Sequence, residues 1–384
     1  MVVQELALAK EVRLMLLDNE VDFDLEKKSG FGSFVIMLSE RYARIGDDYV
    51  GESLEHARAM FAVRSTRLLV PNSAMLKLSG LLNATRNFGY TDPRDKIYGL
   101  LSIASDAEQL RILPDYTQSV QTCYTIAARK IIGESKSCQL LLYCQTLQQD
   151  DSLPTWVPDW RTHRLERFPH PIFPSGSSRV PFKATLELPL SIRDVGNDFK
   201  LGVRGILVDT ITRITSGPVD PIDNDFYDDN VYGYGTWWNR AYAAVGRVYE
   251  HTGESLARAL GRTRIADDEE EHVRDARWSP YNVGGKEVRD LRKVPTADFH
   301  QVAPKIIKYT LFRSLFTTSK KYMGLAPLTA REGDHVVLLP GADVPYVLRH
   351  VDGQEYSVVG HCYTHGIMFG EAADSALLQD IILV

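Results

Sequence analysis

Three clusters in this 384-residue chain combine residue types that could do chemistry. The first is Thr91-Asp92-Pro93-Arg94-Asp95-Lys96-Ile97-Tyr98-Gly99-Leu100-Leu101. At a helix start the amides point outward, so Asp92, Arg94 and Asp95 there could form an anion-binding and acid/base cluster. Plain capping accounts for the same residues, with a polar residue ahead of Pro93 at the first helical position and Asp95 answering the first-turn amides. Capping is the reading the spacing favours. An exposed pairing of Arg94 with either carboxylate would contribute only ~0.2–1 kcal/mol.

The second cluster is His361, Cys362 and His365, with His335 and His350 nearby in sequence, and it invites a metal reading. In a strand rising ~3.3 Å per residue, His361 and His365 stand about 13 Å apart, too far to share a zinc held at ~2 Å per ligand. Cys362 as a nucleophile with His365 as its base fares no better, because residues three apart on a strand face opposite sides. The third cluster is Trp156 and Trp160, flanked by Pro154 and Pro158, which reads as a core plug ahead of a binding platform. There is no P-loop, no GxGxxG after a strand, no GxSxG and no HExxH. Nothing names a reaction, and neither a metal nor a cofactor is expected.

The elements that must position these clusters fall into four segments. Residues 1–150 read as helical or α/β. One helix starts around Asp92, and another follows Pro114-Asp115-Tyr116-Thr117, with Val120, Cys123, Tyr124, Ala127 and Ile131 at three- and four-residue steps until Gly133. Val2, Val3, Leu6, Leu8 and Ala9 are too densely apolar for an exposed helix, and Glu11 to Leu17 reads as a buried strand whose sheet neighbours would come earlier in a chain. Residues 151–215 hold the Pro/Trp connection and then strands from Phe199 to Ile214 with a turn at Gly205. Residues 216–310 read as a helical region from Trp237 to Leu260 between solvated acidic loops, Asp223 to Asn230 and Asp267 to Glu271. In residues 311–384, short runs from Asp334 to Met368, with turns at Pro340-Gly341 and Asp352-Gly353, predict a small barrel or folded antiparallel sheet. The fold class is therefore mixed α+β.

Composition narrows the function. An apolar share of 44%, a charged share of 24% and a net charge of −6 describe a globular protein without the basic stripe of a nucleic-acid binder. No apolar run approaches the ~20 residues that cross a bilayer. The four cysteines, Cys123, Cys138, Cys144 and Cys362, include no CxxC pair and read as small buried side chains in a reducing, cytoplasmic setting. No signal peptide is read at the start. Another protein is the partner class left open.

Taken in order, the motifs resemble the fungal heterokaryon-incompatibility (HET) domain proteins. Val2-Val3-Gln4-Glu5 is similar to that family's Trp-Val-Val-Gln-Glu motif. Residues 91–101 resemble its Asp-Pro-Arg-Asp-Lys segment, Pro114-Asp115-Tyr116 its Pro-Asp-Tyr, and Leu153 to Trp160 its Leu-Pro-Ser-Trp-Val-Pro-Asp-Trp. Thr318 to Gly324 and Gly360 to Met368 resemble the carboxyl-terminal lobe of the same proteins. The resemblance implies a TIR-like doubly wound domain of which residues 1–150 are the later part, the earlier strands being absent, so the chain is expected to be shortened and inactive alone. It implies a role in non-self recognition and regulated cell death. It leaves two other readings open. One is an enzyme, either a TIR-like NAD glycohydrolase with Glu5 as the residue to test or an accessory enzyme of secondary metabolism. The other is an interaction module built on residues 311–384.

Overall fold

The computed structural model describes residues 2–16, 19–22, 48–144, 152–161, 182–214, 248–264, 266–267, 282–283, 286–287, 309–310 and 312–384. The chain divides into two compact units, Met1–Glu134 with Asp159–Leu165, and Ser135–Pro158 with Glu166–Val384. Helices dominate the first unit and strands the second, so the fold is mixed α+β.

The first unit opens with α1 (Val2–Leu8) and a hairpin of β1 (Arg13–Leu16) and β2 (Asn19–Asp22). The partner of β1 thus follows it in sequence, where an earlier one was expected. Helix α1 buries Val3 and Ala7 and leaves Leu8 exposed, so it has one buried face. Its last carbonyls are satisfied from α2 (Asp48–Leu69): the buried Arg64 guanidinium donates to Leu6 O and Ala9 O at 2.7 Å each. A cation at a helix C-terminus complements the orphan carbonyls there. Next come α3 (Leu78–Ala84), α4 (Asp95–Tyr98), α5 (Ala107–Leu110) and α6 (Val120–Ser135). Helix α6 buries Cys123, Tyr124, Ala127, Ala128 and Ile131, as its 3.6-residue period requires, and it runs two residues past Gly133. Its N-terminus is capped by Ser119, whose Oγ accepts the Thr122 N–H at 3.1 Å. Asp115, expected at the helix start, instead closes a turn by accepting the Thr117 N–H at 2.9 Å.

In the second unit β3 (Ile192–Arg193) and β4 (Leu201–Ile214) come first, then the short pair β5 (Val248–Tyr249) and β6 (Glu254–Ser255), helix α7 (Leu256–Arg264), and the pair β7 (Asn282–Val283) and β8 (Lys286–Glu287). There follow β9 (Arg313–Thr318), β10 (Met323–Pro327), β11 (His335–Leu338), β12 (Tyr346–Asp352), β13 (Glu355–His361), β14 (Tyr363–Thr364) and β15 (Gln379–Leu383). Strands run β11-β12-β13-β15-β4, and β4 pairs back onto β11, which closes a five-stranded barrel. The far end of β4 pairs with β9, and β9-β10-β14 extends the sheet outside the barrel. Pairing is antiparallel except for β13 with β15, which is parallel, so the expected wholly antiparallel lobe is corrected.

No turn interrupts β4 at Gly205. A Cβ there would lie 2.8 Å from Ile381 Cδ1 and 3.0 Å from Leu338 O, so this glycine permits the close approach of β4 to its neighbours. The core between the sheets holds Ile206, Val208, Ile211, Phe316, Val336, Leu338, Val347, Val359 and Ile367. Trp156 is fully buried in this unit and donates its indole N–H to Phe199 O at 3.0 Å, while Trp160 packs edge-on against Tyr124 in the first unit, 5.0 Å between centroids. Both tryptophans are core residues. The predicted helix over 237–260 is described only from Val248 onward, and helix begins at Leu256; Trp237, the stretch Asp223 to Asn230 and residues 268–271 of the second acidic stretch lie outside the described residues.

Candidate functional site

Asp92, Arg94 and Asp95 are brought together in the first unit, where Arg94 engages Asp92 and the Tyr116 turn engages Arg94 and Asp95. Arg94 binds Asp92 through two bonds, Nε to Oδ1 at 2.9 Å and Nη2 to Oδ2 at 2.7 Å. Its remaining Nη1 donates to Tyr116 O at 2.6 Å and Gln118 O at 2.8 Å. The Tyr116 hydroxyl returns to Asp95 Oδ1 at 2.6 Å, and the Arg94 guanidinium lies 5.3 Å from the Tyr116 ring centre. The Asp-Pro-Arg-Asp turn and the Pro-Asp-Tyr turn are thus clamped to each other by a planar fork that only arginine supplies. Asp92 Oδ1 also takes the Arg94 N–H at 2.9 Å, so Asp92 organises the turn entering α4. Asp95, expected to answer first-turn amides, is engaged by Tyr116. Hydrogen bonds from Arg94 hold the Asp92 carboxyl below the usual range.

Lys96, in the same motif, was not singled out from sequence. It is 3% exposed, and its ammonium donates to Thr85 O at 2.9 Å and Arg86 O at 2.7 Å, at the C-terminal end of α3, with the Tyr90 ring centre 5.3 Å away. Burial, and then the Arg86 charge, push this amine down to about 8. Glu5, the candidate for NAD cleavage, is exposed on α1.

His361, Cys362 and His365 do not converge. His361 ends β13, and the chain then crosses to the outer sheet, so the three side chains meet different neighbours. His361 Nε2 lies 2.6 Å from Nη2 of the buried Arg313. A guanidinium only donates, so Nε2 accepts and carries no proton. Burial pushes Arg313 down to about 9. Cys362 is fully buried with Sγ 3.6 Å from Thr364 Oγ1, and burial pushes its thiol up to about 12, which leaves no thiolate for attack at neutral pH. All four cysteines are free and buried. Among the described residues no group of three or more His, Cys, Asp or Glu could hold a metal. His335 contacts Thr210 and His350 contacts Gly353 O, neither directed at the 361–365 segment.

His365 instead anchors a buried polar network in the second unit. Its Nε2 is 2.6 Å from Glu254 Oε1, and its Nδ1 is 2.7 Å from the Tyr363 hydroxyl. The carboxylate only accepts, so Nε2 bears a proton, and a neutral ring accepts the Tyr363 O–H at Nδ1. Glu254 also accepts from Thr252 at 2.6 Å and faces Arg262 at 3.4 Å and Arg258 at 3.5 Å. Arg262 in turn grips Asp267 with bonds of 2.6 and 2.9 Å. Asp267 is therefore an ion-pair partner and not part of a solvated loop. Burial works against the Glu254 charge, but hydrogen bonds from His365 and Thr252 outweigh it and hold the carboxyl down to about 2. Tyr249 completes the arrangement, donating its hydroxyl to His365 O at 2.8 Å and accepting the Met323 N–H at 3.2 Å. Sequence spacing carried no sign of Glu254 as a partner, because the pair spans 111 positions.

Comparison with known proteins agrees with this architecture. Residues 292–384 match the Het-6 beta-barrel domain family, and the barrel's β4 lies ahead of the matched residues. The chain is 29% identical over 346 residues to heterokaryon incompatibility protein 6, OR allele, of Neurospora crassa, covering 77% of this chain and 51% of that protein. It thus spans about half the length of the curated relative it matches. No solved structure matches.

Proposed function

We propose that this chain, which is similar over 346 residues to a heterokaryon incompatibility protein and matches the Het-6 beta-barrel domain over residues 292–384, acts in vegetative non-self recognition and feeds a regulated cell-death response. The observation carrying this reading is the continuity of the likeness: it extends over 346 aligned residues, well beyond the barrel, to a protein named for incompatibility. On this reading the first unit corresponds to part of a TIR-like domain, with the Asp92–Arg94–Tyr116 clamp as its scaffold. The barrel unit presents the surface that differs between self and non-self. The partner is another protein, met in the cytoplasm after cell fusion. No helix among the described residues is long and apolar enough to cross a membrane.

Non-self recognition needs two unlike determinants, so the chain alone is expected to be harmless. The test is genetic. Two otherwise identical fungal strains carrying different alleles at this locus are forced into a heterokaryon, and growth is compared with same-allele pairs. Growth arrest in the unlike pair only, removed by swapping the allele, supports the reading. Free growth of every unlike pair overturns it.

A further inference from the structure

Residues 248–264 and 266–267 belong to the second unit, and among the described residues none of them joins its main sheet. Strands β5 and β6 pair with each other, and β9, β10 and β14 form a ladder that meets the barrel at β4. The register of that ladder aligns Leu325 with both Leu315 and Tyr363, so with Met323 these side chains share the face opposite Phe316 and Ala326, which belong to the core. All four are buried. Helix α7 packs against β10 and turns Leu256, Ala259 and Leu260 inward.

Beside the buried Tyr249, Leu256, Ala259 and Leu260, polar contacts hold the segment down. Glu254 reaches His365, Tyr249 bridges His365 O and Met323 N, and His251 donates to Lys320 O at 2.8 Å while stacking on Tyr322 at 3.7 Å. A carboxylate buried at such a contact costs desolvation that its hydrogen bonds only partly offset, and the best-attested use of such groups is to specify one arrangement over another. A segment attached this way comes off as a unit more readily than a barrel strand hydrogen-bonded on both edges.

The geometry points to residues 248–267 being a detachable strap, keyed by Glu254 to His365, whose release bares the apolar face of Leu315, Met323, Leu325 and Tyr363. The inference stands apart from the incompatibility reading and concerns the covering of this sheet whatever its partner.

Hydrogen exchange of the full-length chain, read by mass spectrometry, tests it. In the wild type, strap amides should exchange together and roughly tenfold or more faster than those of β12 and β13. Glu254→Gln should raise strap exchange by a further tenfold or so and leave β12 and β13 unchanged, and Thr252→Val, which removes one hydrogen bond from an exposed residue, should act in the same direction more weakly. A wild-type strap exchanging in step with β12 and β13 overturns the proposal. So does a Glu254→Gln chain that loosens strap and barrel equally.

Discussion

Nε2 of His365 and Oε1 of Glu254 sit 2.6 Å apart, and this one contact ties the β5–β6–α7 segment to the end of β14. The imidazole is held at both ends, by the carboxylate and by the Tyr363 hydroxyl. Removing either partner leaves a buried ring nitrogen without its hydrogen bond.

Glu254→Ala should therefore destabilise the second unit by about 3 kcal/mol, read from urea unfolding. The wild-type contribution depends on pH with a definite sign. The folded carboxyl titrates at about 2, below its ordinary 4.5, so its stabilisation is complete above about pH 4.5 and fades as pH falls towards 2. A wild-type minus Glu254→Gln difference that stays constant from pH 6 to pH 2.5 would contradict this assignment.

Lys96 gives a dependence of the same sign in the alkaline range. Its folded amine titrates at about 8, below the ordinary 10.5, so the unfolded chain binds the proton more tightly and stability rises as pH climbs from about 8 to 10.5. Lys96→Met should abolish that rise, which is on the order of 3 kcal/mol. Unfolding both proteins at pH 7.5 and pH 10.5 isolates the effect, and parallel curves would exclude it.

Arg94→Lys keeps the charge but loses the fork that spans Asp92, Tyr116 O and Gln118 O. The melting temperature of the first unit should fall, and Asp92→Asn should lower it as well. A thermal scan in which Arg94→Lys matches wild type would show that the clamp is only a charge contact.

Gly324→Ala should weaken the junction of β10 and β14 by about 2 kcal/mol or more, since its Cβ would fall on the Tyr363 carbonyl oxygen and the Phe316 ring. Gly253→Ala, where the φ of +72° adds backbone strain but nothing lies within 4 Å, should cost less. Calorimetry of the two variants should rank them in that order.

How much of this was legible in the sequence depended on whether the cause was local. The strands from His335 to His361 announced themselves by alternation and by turn chemistry at Pro340-Gly341 and Asp352-Gly353, which set local backbone geometry. Helix α6 showed its buried face for the same reason. Gly205 misled because a glycine in a strand marks either a turn or a close neighbour, and only the position of Ile381 and Leu338 decides which. The 361–365 cluster reads from strand spacing alone as poor metal geometry. Its real partners, Arg313 and Glu254, lie on elements whose placement no local pattern encodes. Asp92, Arg94 and Asp95 were found by type, and the bond from Tyr116 to Asp95 was not, because it joins two turns 21 positions apart.

Strand β4 is a stave of the barrel, yet the strands that close around it come much later in the chain. As the ribosome delivers the protein, Leu201–Ile214 emerges with only the two-residue β3 to pair with and waits until Gln379–Leu383 has been made, a delay on the order of ten seconds at ordinary elongation rates. During that interval it is an apolar ribbon open to any other strand. A fragment starting at residue 292 would never meet it, leaving β11 and β15 each with an unpaired edge and a tendency to aggregate.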